Sequence, residues 1–553
     1  MSRIRFFNLG GLGENGKNMS IVEVDEAIFI LDAGLKYPTV DLLGIDAVYP
    51  DFEYLEEHKE NIQGIFLSHG HEDHIGAVCE LLKRFNINVY GSHFTISILE
   101  DNLQEEEMIV SAYRLYRINE DKTLKFGKVK VEFYSVNHSI PEALNIAIIT
   151  EDGAIVYAPD FSFDVNSDIK YHISFDRISE IAKYGVLALA SESIGTGNIN
   201  RTNNHLEYEN IVSKAVMKPK RVFFSLYSAD LDKIQRVVNI AIRYNRRIAL
   251  IGRKTQRIVS IAIERGYLNI PRDRLVTLKF INDEIKNDDK DLVILVTGVR
   301  HEPFYMIQRM CNGQDKLVQI TKEDEIVLLS PIIAGTEKIA QRTLSQVLSI
   351  GADISQIQKT QIKSSHASPE DLKMLYAMLK PKYIIPIVGE FRHQYQQRNI
   401  AMDAGYKKEN ILVLENGQVA EFENGKLIST SEHIETGDIL RDGSLIGDIN
   451  SVVLKDRGQL SEEGIIFVQI TVDTSFRVVL GGPEIVTRGF MKDDNYYIKT
   501  LKEICLSNVY RYLNKRNLDL TQATEDLKNK LSDYIHKISK KRPFIIPSII
   551  NIK

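Results

Sequence analysis

Directly after the apolar run GIFL, the chain reads Ser68-His69-Gly70-His71-Glu72-Asp73-His74. Three imidazoles and a carboxylate packed into six residues are poor core material. The fold must therefore deliver this loop from a buried strand to an open site. Imidazole nitrogen and carboxylate oxygen form the ligand set for zinc or a similar borderline metal. Alternate residues of an extended segment project from one face, so His69 and His71 can share one ion. Asp73 and His74, one turn further on, can reach a second ion about 3.5–4 Å away. Two more candidates stand where β-rich runs stop, His138 in YSVNHSIPEA and Asp160 in AIVYAPDFSFD. Either residue alone is as often structural as functional; their order after the cluster favours ligands. A carboxylate at such a place can bridge two metals and help to lower the pKa of a water between them.

The rest of the chain sets this loop in a larger plan. At 553 residues the length exceeds what one hydrophobic core supports. Over the first 160 residues, short β-rich runs alternate with turns. From about 206 to 355 the rhythm changes: RVFFSLYS, RRIALIGR, DLVILVTG and DEIVLLS read as buried strands, each followed by a helical pattern, as in a parallel sheet. Signals of the first kind return in KYIIPIVGEFRH and NILVLENG, so the second domain is read as an insertion into the first. The expected boundaries are 1–205 and 355–425 for the interrupted domain, 206–354 for the insertion, 426–449 for a polar connector, and 450–553 for a small α/β C-terminal domain.

A formal net charge of −6 gives no global sign of nucleic-acid binding. Any basic surface has to be local, in KPKRV (218–222), RYNRR (243–247) with RKTQR (253–257), or KISKKRP (537–543), each more often a solvated face than a groove. Cys79, Cys311 and Cys505 lie far apart, outside any thiolate metal spacing, which argues against a disulfide framework. With no apolar leader and no membrane-length apolar run, a cytoplasmic protein with no membrane association is expected.

Taken together, HxHxDH, the downstream histidine and aspartate, and the inserted βα domain resemble the β-CASP group of the metallo-β-lactamase superfamily. GGLGENGKNM (10–19), LDAGLKYP (31–38), LLGIDAVYPDFEYL (42–55), VNHSIPEA (136–143), ENGQV (415–419), IGDI (446–449) and LSEEG (460–464) narrow the resemblance to the bacterial ribonuclease J family along nearly the whole chain. This likeness implies an α/β architecture: a metallo-β-lactamase αββα sandwich with an inserted β-CASP parallel domain and a small α/β C-terminal domain. It implies two Zn2+ sites, with Mn2+ or Mg2+ as alternatives: His69, His71 and His138 on the first ion, Asp73 and His74 on the second, and Asp160 bridging. Asp73, Glu192 in ALASESIG and His366 in KSSHASPED would be catalytic, while Arg253, Ser364 and His366 would contact the substrate. The implied activity is 5′-to-3′ exonuclease and endonuclease action on RNA in mRNA decay and rRNA maturation. The implied assembly is a homodimer, a homotetramer or a hetero-oligomer with an active paralogue.

Departures from that pattern matter equally. In IIPIVGEFRH, the position of a metal-binding histidine is taken by Val388, which has no lone pair to give. The family's SGHG is here Ser364-Ser365-His366-Ala367, the preceding histidine is Ile362, GRS has become Gly252-Arg253-Lys254, and Thr297–Pro303 replaces a TGSQGEP-like segment. A weak or empty second site and reduced activity are expected, as in the less active paralogue type. The alternatives are a nearly inactive partner subunit, a DNA-acting β-CASP nuclease and a small-molecule hydrolase. His393 is a candidate substitute ligand for the missing histidine.

Overall fold

The computed structural model describes residues 2–39, 42–164, 169–197, 205–276, 289–332, 336–358, 361–362, 364–447, 451–490 and 495–552. The chain divides into two compact units, Met1–Lys36 with Tyr49–Asp438, and Tyr37–Val48 with Ile439–Lys553.

The larger unit carries two facing sheets. One has eight strands, in the order Lys426–Ser429, Ala420–Glu423, Arg3–Gly10, Met19–Val24, Ala27–Leu31, Ile62–Phe66, Val89–Gly91 and Leu115–Arg117. The other has six, in the order Tyr383–Ile387, Val186–Glu192, Gly153–Ala158, Leu144–Thr150, Val129–Ser135 and Leu124–Phe126. Phe6, Val22, Phe29 and Phe66 of the first meet Phe133, Ile146 and Ile155 of the second in one buried cluster. Strands covered on both faces read as continuous apolar runs, which is why GAIVYA and VLALASE show no alternation. The outer face of the six-stranded sheet is covered by the helices Phe175–Ala182 and Pro369–Leu379, through Ile178, Ile181, Leu372 and Leu375. The helix His93–Glu105 packs on the edge strands of the larger sheet. This is an αββα sandwich.

Between Val186–Glu192 and its parallel neighbour Tyr383–Ile387, the chain leaves the sandwich to build a third sheet. Leu275–Val276, Arg247–Ile251, Leu292–Gly298, Val222–Tyr227, Glu325–Leu328 and Asp353–Gln356 pair in parallel throughout. Its core includes Phe223, Ile294, Val296, Phe304 and Ile326. The βα rhythm of the sequence is thus a parallel α/β domain inserted between two neighbouring strands of the sandwich.

Within the polar stretch 426–449, three short strands form, Lys426–Ser429, Asp438–Asp442 and Leu445–Gly447, the first extending the eight-stranded sheet at its edge. In the smaller unit, Ile465–Asp473 lies between Val478–Arg488 and Phe544–Asn551. One face of this sheet is buried under the helices Asn495–Leu513 and Leu520–Ser539 through Ile466, Val468, Leu501, Leu527 and Leu531. No helix among the described residues is long and apolar enough to cross a membrane.

Candidate metal centre

The centre is built where strands of both sheets end. Ala27–Leu31 runs into Asp32, a fully buried residue held at φ +61°. Its carboxylate accepts from the Ser68 backbone N–H at 2.7 Å, Ser68 Oγ at 2.6 Å, His74 Nδ1 at 2.7 Å and Tyr157 Oη at 2.9 Å. One carboxylate so fixes the loop after Ile62–Phe66 and the orientation of His74. The short helix Glu72–Ile75 is clamped as well. Asn18 N donates to Asp73 O (3.1 Å), Ala33 N to His74 O (2.8 Å) and Leu35 N to Glu72 O (3.0 Å). Gly34 permits this close approach: a Cβ there would lie 1.6 Å from Asp73 O.

Four donors converge from three strand ends. His71 Nδ1 lies 3.0 Å from His69 Nε2 and 3.1 Å from His138 Nε2, and Asp160 Oδ2 lies 3.4 and 3.7 Å from those two Nε2 atoms. A zinc–nitrogen distance of about 2.0–2.1 Å in a tetrahedron calls for donors roughly 3.3–3.4 Å apart. The observed separations bracket that value. The far side of each ring sets its tautomer. His138 Nδ1 donates to Ser365 O (2.9 Å), and His69 Nδ1 donates to Ser68 Oγ (2.9 Å), whose own hydrogen goes to Asp32. His71 Nε2 points to Ala229 O (3.4 Å) and Ser139 Oγ (3.3 Å). Each imidazole thereby turns a bare lone pair inward, the arrangement a cation requires. Burial, with neighbouring imidazoles adding to it at His71, holds His71 and His138 well below the usual histidine range, so both are neutral.

A second group, Asp73, His74 and Asp160, shares the same Asp160 Oδ2, which lies 3.2 Å from His74 Nε2; Asp73 Oδ2 lies 3.7 Å from that nitrogen. Burial opposes charge on His74, but Asp73, Asp32 and Asp160 outweigh it and push its pKa well up. The two groups, which have Asp160 in common, offer donor chemistry that fits a pair of cations.

A third group joins Asp160 to Glu192 and His366. Glu192, at the end of Val186–Glu192, accepts from Phe161 N (2.8 Å), Ala367 N (2.9 Å) and His366 Nδ1 (2.9 Å). Burial pushes its carboxyl up to about 7 despite His366. Against its own burial, Glu192 and Asp160 hold His366 well above the ordinary histidine range. Asp160, though buried, is kept well below the usual carboxylate range by His366, His69 and His74.

Ser364 and Ser365 line a cleft beside His138, faced by Asp230, Asp232 and Arg236 of the inserted domain. Arg253 opens the helix Arg253–Glu264, and its side chain lies outside the described residues. Val388 is buried in the sandwich core at φ +50°. Neither it nor His393 joins any donor group among the described residues. Two basic segments of the inserted domain prove to be internal pairs: Arg221 binds Asp324, Lys218 binds Glu325, and Arg247 binds Asp289 and Asp291. Arg257 of RKTQR pairs with Asp101. The sequence reading gave no role to Asp32, Tyr157 or Asn18. A carboxylate straight after the strand AIFIL was the one available signal, for Asp32.

Comparisons with known proteins agree with this geometry. Residues 31–175 match the Beta-lactamase superfamily domain, 219–347 the Ribonuclease J, beta-CASP domain, 354–413 the Zn-dependent metallo-hydrolase RNA specificity domain, and 452–552 the Ribonuclease J C-terminal domain. The chain is 36% identical to Ribonuclease J 2 of Staphylococcus aureus strain MRSA252, covering 99% of this chain and 98% of that protein. It is 35% identical, with the same coverage, to Ribonuclease J 2 of Staphylococcus epidermidis. Among solved structures, a protein of unknown function from Enterococcus faecalis V583 is similar in fold, with a TM-score of 0.52 at 14% identity, covering 76% of this chain and all of that one.

Proposed function

The chain belongs to the ribonuclease J family and is a metal-dependent hydrolase of RNA, and from that premise we propose how its residues divide the work. His69, His71, His138 and Asp160 hold one cation, Zn2+. Asp73 and His74, with Asp160 shared, hold a second, more weakly. The observation that carries this reading is the four-donor cage whose imidazoles all have their outer nitrogens occupied. Bound cations supply Lewis acidity: they neutralise phosphate charge and acidify water.

The remaining work falls to the chain itself. His366, protonated and held through Nδ1 by Glu192, keeps Nε2–H free for a leaving oxygen at phosphorus. Glu192 orients His366; Asp73 belongs to the reacting group through the second cation. Ser364, and Arg253 at the mouth of its helix, are assigned to the RNA phosphates. Val388 leaves the second group with three donors, so activity is expected to be reduced relative to a chain with histidine there.

The exposed apolar residues Phe467, Val486 and Ile546 on the open face of the C-terminal sheet support self-assembly, as a homodimer or homotetramer, or pairing with a more active paralogue. Cytoplasmic mRNA decay and rRNA maturation are the assigned setting.

The test is a metal count by elemental analysis with an assay on 5′-monophosphorylated RNA, beside Val388→His. The expected result is one tightly held zinc, slow cleavage by the native chain, and a gain of about tenfold or more in second-site affinity on restoring the ligand. A protein that binds no metal sinks the assignment.

A further inference from the structure

If both donor groups are metal sites, as read above, the second offers one protein donor fewer than the first. Asn18 reaches the same place. Its Nδ2 lies 3.1 Å from His74 Nε2 and 3.4 Å from Asp73 Oδ2. The four donors of the first group stand 3.0–3.7 Å from one another along the edges given above. The end of the Asn18 side chain thus stands beside His74 and Asp73 as a fourth donor would. Its other amide atom, Oδ1, is buried without a hydrogen-bond partner, against Gly11, where a Cβ would come within 2.5 Å of it.

A carboxamide is planar and nearly symmetric in outline, so a half-turn of the side-chain amide exchanges nitrogen and oxygen without moving the backbone. The backbone of Asn18 is tied to Asp73 O (3.1 Å) and to Gly34 N (3.0 Å). His74 determines which atom faces inward. Its Nδ1–H is committed to Asp32, and the amide nitrogen of Asn18 faces Nε2, whose lone pair is open to a cation once its own proton has left. Once a cation takes that lone pair, amide hydrogens would face positive charge, and the oxygen is favoured instead.

We propose that Asn18 Oδ1 is a protein ligand of the second cation, completing the set Asp73, His74, Asp160 and Asn18. This set has three oxygens and one imidazole, whereas the first has three imidazoles and one carboxylate. Oxygen-rich sites suit harder cations. The two sites therefore sort metals, Zn2+ in the histidine cage and Mn2+ or Mg2+ beside Asn18.

The test needs no turnover. Full-length protein carrying one equivalent of zinc is titrated with Mn2+, with free Mn2+ read by electron paramagnetic resonance. The native chain should bind one Mn2+. Asn18→Ala should keep its zinc and weaken Mn2+ binding about tenfold or more, while Asn18→Asp, which retains an oxygen, should bind at least as tightly as native. A residue that only donates to His74 Nε2 predicts the opposite sign, because deleting it removes a competitor for the lone pair. Unchanged or tighter Mn2+ binding in Asn18→Ala overturns the proposal. So does Asn18→Asp binding as poorly as the alanine variant, and this decides the matter if Asn18→Ala does not fold. Zinc bound but no Mn2+ in the native chain sinks the Asn18 assignment and spares the histidine cage; no metal of either kind sinks both.

Discussion

Proton placement in the centre depends on single side chains that act on one another. His366 keeps its proton because Glu192 and Asp160 outweigh the desolvation that favours the neutral ring. In Glu192→Gln one of those charges is gone, and an amide that turned its N–H toward His366 Nδ1 would oppose the donor already there. The sign follows directly: the His366 pKa falls, so the protonated fraction at a given pH falls with it. The alkaline limb of the rate profile on RNA should move to lower pH, with little change at the acid end. Above the shifted limb, the loss should approach the roughly 100-fold that a general acid contributes. A uniform loss at all pH values would instead mean that Glu192 serves only to hold Phe161 N and Ala367 N in place. His366 was legible in the sequence because KSSHASPED resembles a known motif. That its neighbour in space lies 174 residues earlier was not.

Among the elements, strand ends do the positioning, and they do it through backbone fit as much as through side chains. Gly34 follows the strand Ala27–Leu31 and receives the carbonyl of Asp73 where a Cβ would lie 1.6 Å away. Such a contact cannot be absorbed by turning a side chain, because the atom it meets is backbone. Gly34→Ala should therefore displace the helix Glu72–Ile75, which carries Asp73 and His74, and disturb His69 and His138, which lie outside it, far less; His71, whose carbonyl opens the helix, shifts only at its C-terminal side. The expected outcome is loss of the second, more weakly held cation with the zinc of the first group retained, read by Mn2+ titration of the zinc-loaded protein; Mn2+ binding as tight as in the native chain would show that the helix is not set by that contact. Sequence periodicity found the parallel strands of the insertion, because strands buried on both faces read as apolar runs whatever their partners. It could not find the work of Asp32. A lone aspartate after a strand looks like a turn residue until Ser68, His74 and Tyr157, 36, 42 and 125 residues away, all prove to be its donors. The basic segments, read as solvated faces more often than grooves, hold ion pairs that sequence does not show: Arg221 and Arg247 meet their acids only after the sheet assembles.

At the scale of the whole chain, the least legible feature is that Tyr37–Val48 groups with Ile439–Lys553 rather than with the residues on either side of it. The cause is a small apolar cluster in the second unit, in which Ile45 and Val48 are buried with Leu440 and flanked by Leu42 and Leu454. This segment holds only the start of a four-residue strand, Ala47–Pro50, too short for any periodicity to betray such a partner. Energetically the cluster is not negligible, since burying an aliphatic side chain is worth about 1.5–3 kcal/mol. Truncation after Asp438 would then do more than remove a domain, because it strips the cover from Leu42, Ile45 and Val48. A chain ending at Asp438 should bind a hydrophobic dye and unfold at lower temperature than the full protein. Replacing Leu42, Ile45 and Val48 together by serine in that truncated chain should reduce the dye binding, whereas the same replacement in the full protein should destabilise it. If the truncated chain instead shows the dye response and melting temperature of the full protein, the segment is folded by its own neighbours and the cluster with Leu440 contributes nothing measurable.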